Sequence, residues 1–238
     1  MSYDPYAILQ SIDGNIVLFL ILGSLAMTFN YIYFWAAAAT TRRDRVYTFP
    51  LTCTTIWFAH DLSFVLLFND WFDVYDHWYL KLFWVALIPT TLAEAYFIYQ
   101  TWLYGKKELM PKASPAIFNA FMIVAIIFGL IVWYVIKQFL GDPIYAFTFG
   151  ATGLIAPALV LGRILMRGDA KGQSITIWAS YTGMQTCWLS ATIIFFGDAF
   201  RTPQYLLMVA ASIIGGIALA VITQRMSGTQ AYPEQQPA

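Results

Sequence analysis

Long apolar runs separated by short polar breaks set the pattern of the chain. Seven runs stand out, over 15–39, 49–68, 78–104, 116–136, 144–166, 174–196 and 203–222. Each reaches the length of a transmembrane helix, about 20 mostly apolar residues with a range of about 17–25. Proline or glycine marks several of the breaks: Pro50, Gly105, Pro111, Pro115, Gly141 with Pro143, Gly168 with Gly172, and Pro203. The pattern predicts an all-α, polytopic membrane protein with seven transmembrane helices. A single domain over 1–226 is expected, followed by a short disordered cytoplasmic tail over 227–238.

Positive charges orient these runs, because cytoplasmic loops are enriched in Lys and Arg. The first, third and fifth loops and the tail hold Arg42, Arg43, Arg45, Lys106, Lys107, Lys112, Arg163, Arg167, Lys171 and Arg225, ten of the 13 basic residues. The other side holds only Lys81, Lys137 and Arg201. An odd number of spans then puts the N-terminus outside and the C-terminus in the cytoplasm. The first residues, MSYDPYAILQSID, contain no Lys or Arg, so the basic start of a cleavable signal peptide is missing and the first apolar run is expected to stay as a helix.

Composition removes whole classes of function. The 238 residues are 60% hydrophobic and 11% charged, against about 45–50% and about 25% in soluble domains, which excludes a water-soluble globular domain. Formal net charge is zero, so no basic excess points to nucleic acid. Cys53 and Cys187 both fall in apolar runs and fit no metal spacing, so neither a disulfide framework nor a zinc site is expected. HExxH, GxxxxGK[ST] and GxSxG are absent, and the last run has no lysine for a retinal Schiff base. No cofactor is expected.

Ionisable groups at membrane depth carry the information, since an acid at the centre of a spanning helix costs roughly 2.5–3.5 kcal/mol on insertion scales and is kept from lipid. Asp61 lies about 18 Å up the second run and Glu94 about 15 Å from the same side on the third, at about 1.5 Å per residue. Matched depth on consecutive antiparallel helices lets the two share one site. Trp57, Asp61, Phe64 and Phe68 recur at helical spacing, as do Thr90, Thr91, Glu94 and Thr101, and Trp84, Trp178 and Trp188 lie inside the runs rather than in an interfacial belt. His60 is next to Asp61 in sequence and points about 100° away around the helix, which makes it a packing or supporting residue. Asp198, beside Gly197 and close to Arg201, reads as a solvated loop charge. Low dielectric disfavours the charged form of a carboxylic acid, and an acid that keeps its proton near neutral pH is what general-acid catalysis requires.

Three stretches carry a family resemblance. Arg43-Asp44-Arg45-Val46-Tyr47-Thr48-Phe49-Pro50-Leu51, followed by Trp57 and Asp61, resembles the charged loop, Tyr-x-x-Pro-Leu and acid-bearing second helix of the small seven-helix integral-membrane terpene cyclases of fungal meroterpenoid and indole-diterpene pathways. Glu94 to Tyr99 with Tyr104-Gly105-Lys106-Lys107-Glu108 resembles their acid-bearing third helix and its Tyr-Gly exit. Arg167-Gly168-Asp169-Ala170-Lys171-Gly172-Gln173-Ser174 with Trp178 resembles the start of their sixth helix. Order, spacing, length and helix count agree over most of the chain. Asp61 stands where that family has a glutamate. The family's second acid, on the last helix, has no counterpart in Ser212-Ile213-Ile214-Gly215-Gly216-Ile217-Ala218-Leu219.

The resemblance implies cyclisation or isomerisation of a hydrophobic, prenylated, usually epoxidised small molecule, begun by a buried acid without metal or diphosphate chemistry. Protonated Asp61, assisted by Glu94, is expected to donate to an epoxide oxygen or an alkene, with Trp57, Phe64, Trp84, Thr91, Trp178 and Trp188 holding substrate and aromatic faces stabilising the cation. The lipid bilayer and that substrate are the expected partners, in a bacterial inner membrane or the endoplasmic reticulum. A SWEET-like seven-helix transporter of a small metabolite is the alternative, with the buried acids as a proton-coupling pair. Its paired Pro-Gln signature is misplaced here, because Pro203-Gln204 opens the seventh run. A non-catalytic membrane scaffold is the third reading.

Overall fold

A computed structural model describes residues 3–229, with side chains to Met226. Helices account for all regular structure among the described residues: α1 (Pro5–Asp13), α2 (Ile16–Asp44), α3 (Leu51–Val65), α4 (Trp78–Tyr104), α5 (Lys106–Leu109), α6 (Pro115–Leu140), α7 (Thr148–Arg167), α8 (Ile175–Phe195) and α9 (Pro203–Thr229). Local chemistry sets several starts. Asp4 accepts from the Tyr6 amide at 2.9 Å ahead of Pro5, and Ser114 does the same for Ile117 at 3.3 Å ahead of Pro115. A side-chain oxygen before the first turn satisfies one orphan N–H, and proline at the first helical position loses nothing by lacking one. Helix α9 runs three residues into the expected tail, and the remainder of that tail, 230–238, lies outside the described residues.

Five helices, α2, α4, α6, α7 and α9, are long and apolar enough to cross a membrane. The other two expected spans differ for physical reasons. Helix α3 has only 15 residues, yet its helical path resumes after a turn at Leu66–Leu67 and ends in a π-helical turn over Asp70–Val74. Helix α8 is long enough at 21 residues but carries Thr, Ser and Gln throughout. Eleven of its residues are buried, so it faces protein rather than lipid and needs no continuous apolar surface. Helix α6 is the opposite case, with four buried residues in 26.

Packing divides the bundle into two groups. Helix α8 lies against α2 and α9, and α7 joins them through α9, while α3 holds α4 and α6. Contact between the groups is sparse and runs through α2 with α4 and α3 with α7. That seam is where the polar interior lies.

The basic end of the bundle is closed by residues of all three sequence stretches docking on one another. Arg163, 7% exposed, donates to Glu108 at 3.0 Å and to the Thr48 carbonyl at 2.8 Å, and its guanidinium lies 3.7 Å from the Tyr47 ring centre. Burial pushes the Tyr47 phenol up to about 12, and its hydroxyl donates to Glu108 at 3.0 Å. The Gln173 amide also donates to Thr48 O, at 2.8 Å, and the Gly172 N–H to Asp44 at 2.9 Å. Gly172 has φ +80°, and a Cβ there would lie 3.0 Å from Val46 Cγ2 and 3.1 Å from the Tyr47 carbonyl. Glu108→Leu leaves Arg163 nearly buried without its anion. The expected loss is about 1–2 kcal/mol, below the full cost of breaking a buried pair because the Glu108 side chain is 30% exposed, and a thermal melt in detergent or nanodiscs reads it.

Candidate active site

Asp61 and Glu94 line one cavity at the seam. Its walls come from Met27 and Tyr33 on α2, Trp57 and His60 on α3, Phe83 and Thr90 on α4, Tyr145 before α7, Phe149 and Gly153 on α7, and Tyr181 and Gln185 on α8. The volume is about 60 Å³, room for a few waters or for the reacting end of a ligand rather than a whole isoprenoid. Aromatic faces make up much of the surface, with Asp61 and Glu94 both nearly buried.

The two acids have opposite surroundings. Asp61 Oδ1 accepts from the Tyr145 hydroxyl at 2.6 Å and pairs with His60 Nδ1 at 2.7 Å, and Oδ2 is 3.0 Å from Thr90 Oγ1. His60 Nε2 is 3.0 Å from Thr148 Oγ1, so the ring is fixed at both nitrogens. Thr90 has one hydroxyl hydrogen, and its oxygen also lies 2.8 Å from the Leu87 carbonyl. When that hydrogen goes to Leu87, a proton on Asp61 Oδ2 completes the contact with Thr90. When it turns to Asp61, the carboxylate accepts from all three neighbours. The same heavy-atom geometry therefore holds the acid before and after proton loss. Glu94 Oε2, by contrast, is buried with no hydrogen-bond partner. A lone carboxylate there would be uncompensated, so the site accommodates the neutral acid, with its O–H free for a ligand.

Tyr145 reaches Asp61 from a strained backbone. Its φ is +64°, a left-handed conformation uncommon for a bulky side chain and costing of order 1–3 kcal/mol. Asp142 holds that turn. Its carboxylate, 3% exposed, accepts from the amides of Ala146, Phe147 and Thr148 at 2.9, 2.8 and 2.7 Å, and from the Tyr3 hydroxyl.

The expected site residues divide. Asp61, Glu94 and Trp57 meet at the cavity, and the Trp57 indole is anchored on the Thr152 carbonyl at 3.0 Å. Phe64 stands one layer behind, its ring 4.7 Å from that of Tyr145 and 5.3 Å from His60. Trp188 also stands behind, stacked on Phe83 at 5.3 Å. The other three lie outside the cavity. Trp84 donates to the Val65 carbonyl at 2.9 Å and so satisfies the broken end of α3. Trp178 donates to Gln173 Oε1 at 2.9 Å at the start of α8. Thr91 bonds back to Leu87 O at 2.8 Å within its own helix. His60 belongs to the site despite its sequence neighbour's direction, because its ring bends back to the adjacent carboxylate. Asp198 is fully exposed, 3.6 Å from Arg201.

The family model of the Pyr4-like transmembrane terpene cyclases matches residues 4–221. The chain belongs to that family. The match spans both acid-bearing helices and the whole cavity, makes this an integral membrane protein of the terpene cyclase class, and gives the transporter reading no support. No curated protein and no solved structure matches the chain. Within this transmembrane terpene cyclase, Tyr145, Gln185 and Tyr33 are among the polar cavity residues that sequence reasoning missed. Tyr145 sits in a loop, where no periodicity marks it, and Gln185 and Tyr33 are ordinary polar positions on helices until the fold turns them inward.

Proposed function

We propose that this terpene cyclase starts its reaction by proton transfer from Asp61 to an epoxide oxygen or terminal alkene of a lipid-soluble prenylated substrate. The observation that carries this is the contrast between the two acids on one cavity. The carboxylate that proton transfer leaves on Asp61 meets donors already in place on Tyr145, His60 and Thr90, which stabilise the charge as it develops. Glu94, lacking partners, stays neutral and hydrogen-bonds the reacting group.

Proton transfer breaks a C–O bond of the epoxide, or the π bond of the alkene, and leaves a tertiary cation. Neighbouring alkenes attack it to close rings, the last cation loses a proton, and reprotonation restores Asp61. Product and substrate are isomers. The faces of Trp57, Phe83 and Phe149 stabilise the moving charge, each by about 2 kcal/mol when desolvated. Met27 and Phe83 also line an apolar groove of about 230 Å³ between α2 and α4, bordered by Gly23, Ser24 and Ala86. The reacting end occupies the acid cavity and the rest of the chain lies in this groove, reached from the bilayer. The membrane arrangement that suits this has seven spans, α2, α3, α4, α6, α7, α8 and α9, with the N-terminus outside and the basic end cytoplasmic.

Expression in a terpenoid-producing host, with lipid extracts compared by mass spectrometry, tests the reading: a new product isobaric with its precursor is expected. Glu94→Gln keeps a donor and the side-chain size, so turnover should fall only about tenfold, well short of the loss of a general acid, roughly 10²–10⁴-fold. A larger loss than at Asp61 would reverse the two roles.

A further inference from the structure

Buried polar atoms without partners are few in native proteins, and each asks for an explanation. Among the described residues, four such atoms belong to three residues of the acid cavity: Glu94 Oε2, Tyr33 Oη, and both Gln185 Nε2 and Oε1. Gln185 is 0% exposed. Its amide lies against Gly153 of α7, where a Cβ would run into Nε2 and come within 3.1 Å of Cδ. Tyr181, one turn before Gln185 on α8, has its hydroxyl committed to the Gly153 carbonyl at 2.9 Å. The Tyr33 ring is wedged among Phe34, Phe49 and Tyr181 at 5.3–5.8 Å, so its hydroxyl has no freedom to seek a partner elsewhere.

We propose that Gln185 and Tyr33 form an oxygen-binding subsite that, together with Glu94, grips the oxygen of an oxygenated isoprenoid and excludes the corresponding hydrocarbon. This rests on the cavity being the reaction site. An amide offers two N–H groups and a carbonyl, and a phenol one of each, which is more than an alkene can use. An epoxide oxygen has two lone pairs, one to accept from Gln185 Nε2 and one to take the proton. The hydroxyl that ring opening leaves has two lone pairs again, for Gln185 Nε2 and Tyr33 Oη, and a hydrogen to donate, so Gln185 Oε1 gains its partner only then. That interaction is stronger after proton transfer than before it, which is the form of binding that accelerates a reaction. A site built to hydrogen-bond an oxygen discriminates against the analogue lacking it, because its own groups are then left unpaired.

The test uses full-length protein in nanodiscs, in an Asp61→Asn background, with farnesene and its 10,11-epoxide as probes and ligand-induced thermal shift as the readout. The epoxide should bind roughly tenfold or more tighter than the hydrocarbon. That ratio should fall to about one in Gln185→Leu, and also in Gly153→Ala, which keeps the amide but displaces it. Without ligand, Gln185→Leu should melt about 2–4 °C higher, since it removes an unpaired polar group and keeps the volume. An unchanged ratio in Gln185→Leu, equal or absent binding of both probes, or a lower melting point in that variant overturns the proposal, the last by showing that the amide is satisfied by structural water. Failure of Asp61 as the proton donor appears instead as retained turnover by Asp61→Asn, and leaves the binding ratio readable.

Discussion

Asp61→Asn should abolish cyclisation, with turnover down roughly 10²–10⁴-fold and the fold intact. The amide is nearly isosteric, and its oxygen still accepts from Tyr145 and His60, the contacts now made at 2.6 and 2.7 Å. Its NH₂ replaces the Oδ2 proton in the contact with Thr90. What is lost is the transferable proton. The comparison is made on membranes of equal protein content, with an isobaric product measured against precursor. Asp61→Glu is a useful partner, because it restores the acid with one more methylene in a space closed by Thr90 and Tyr145, and should recover part of the activity. Full turnover by Asp61→Asn would move the proton to Glu94.

Asp142→Ala should damage both stability and catalysis. Three backbone N–H groups and the Tyr3 hydroxyl lose their acceptor, at about 1 kcal/mol each, so a loss of about 3 kcal/mol is expected after relaxation of the exposed part of the turn. The same turn forces Tyr145 to φ +64°. Released from it, Tyr145 relaxes and withdraws the shortest hydrogen bond to Asp61. Tyr145→Phe separates the two effects, because it removes only the bond: its stability should stay within about 1 kcal/mol of wild type while activity falls. Equal melting points for Asp142→Ala and wild type would show that the carboxylate does not hold the turn.

Much of the architecture was legible from local pattern. The run 78–104 coincides with α4, and 174–196 and 203–222 fall on α8 and α9 to within a few residues at all but the C-terminal end of α9. Apolar length and Gly/Pro breaks are local quantities, and in lipid the backbone has almost no alternative to helix. The short helix α1 escaped because Pro5–Asp13 is too short for a span, and the break at Leu66 escaped because no proline or glycine announces it. The resemblance of Arg43–Leu51 and Arg167–Ser174 to family motifs was visible as well. That Thr48 receives Arg163 and Gln173, so that the motifs serve to close the basic end, was not.

The sequence alone determined the membrane class, the helix order, the family, and two carboxylic acids at matched depth, because hydropathy and rise per residue are properties of a segment by itself. Tertiary structure decided what those acids are to each other. Whether a carboxyl is surrounded by donors or left bare depends on residues 29 to 88 positions away, such as Thr90 and Tyr145 for Asp61 and Thr148 for His60. It also took Trp84, Trp178 and Thr91 out of the cavity and brought in Gln185 and Tyr33. A helix face is fixed only when its neighbours are in place, since the free energy of a buried polar group is set by its partners rather than by its own identity.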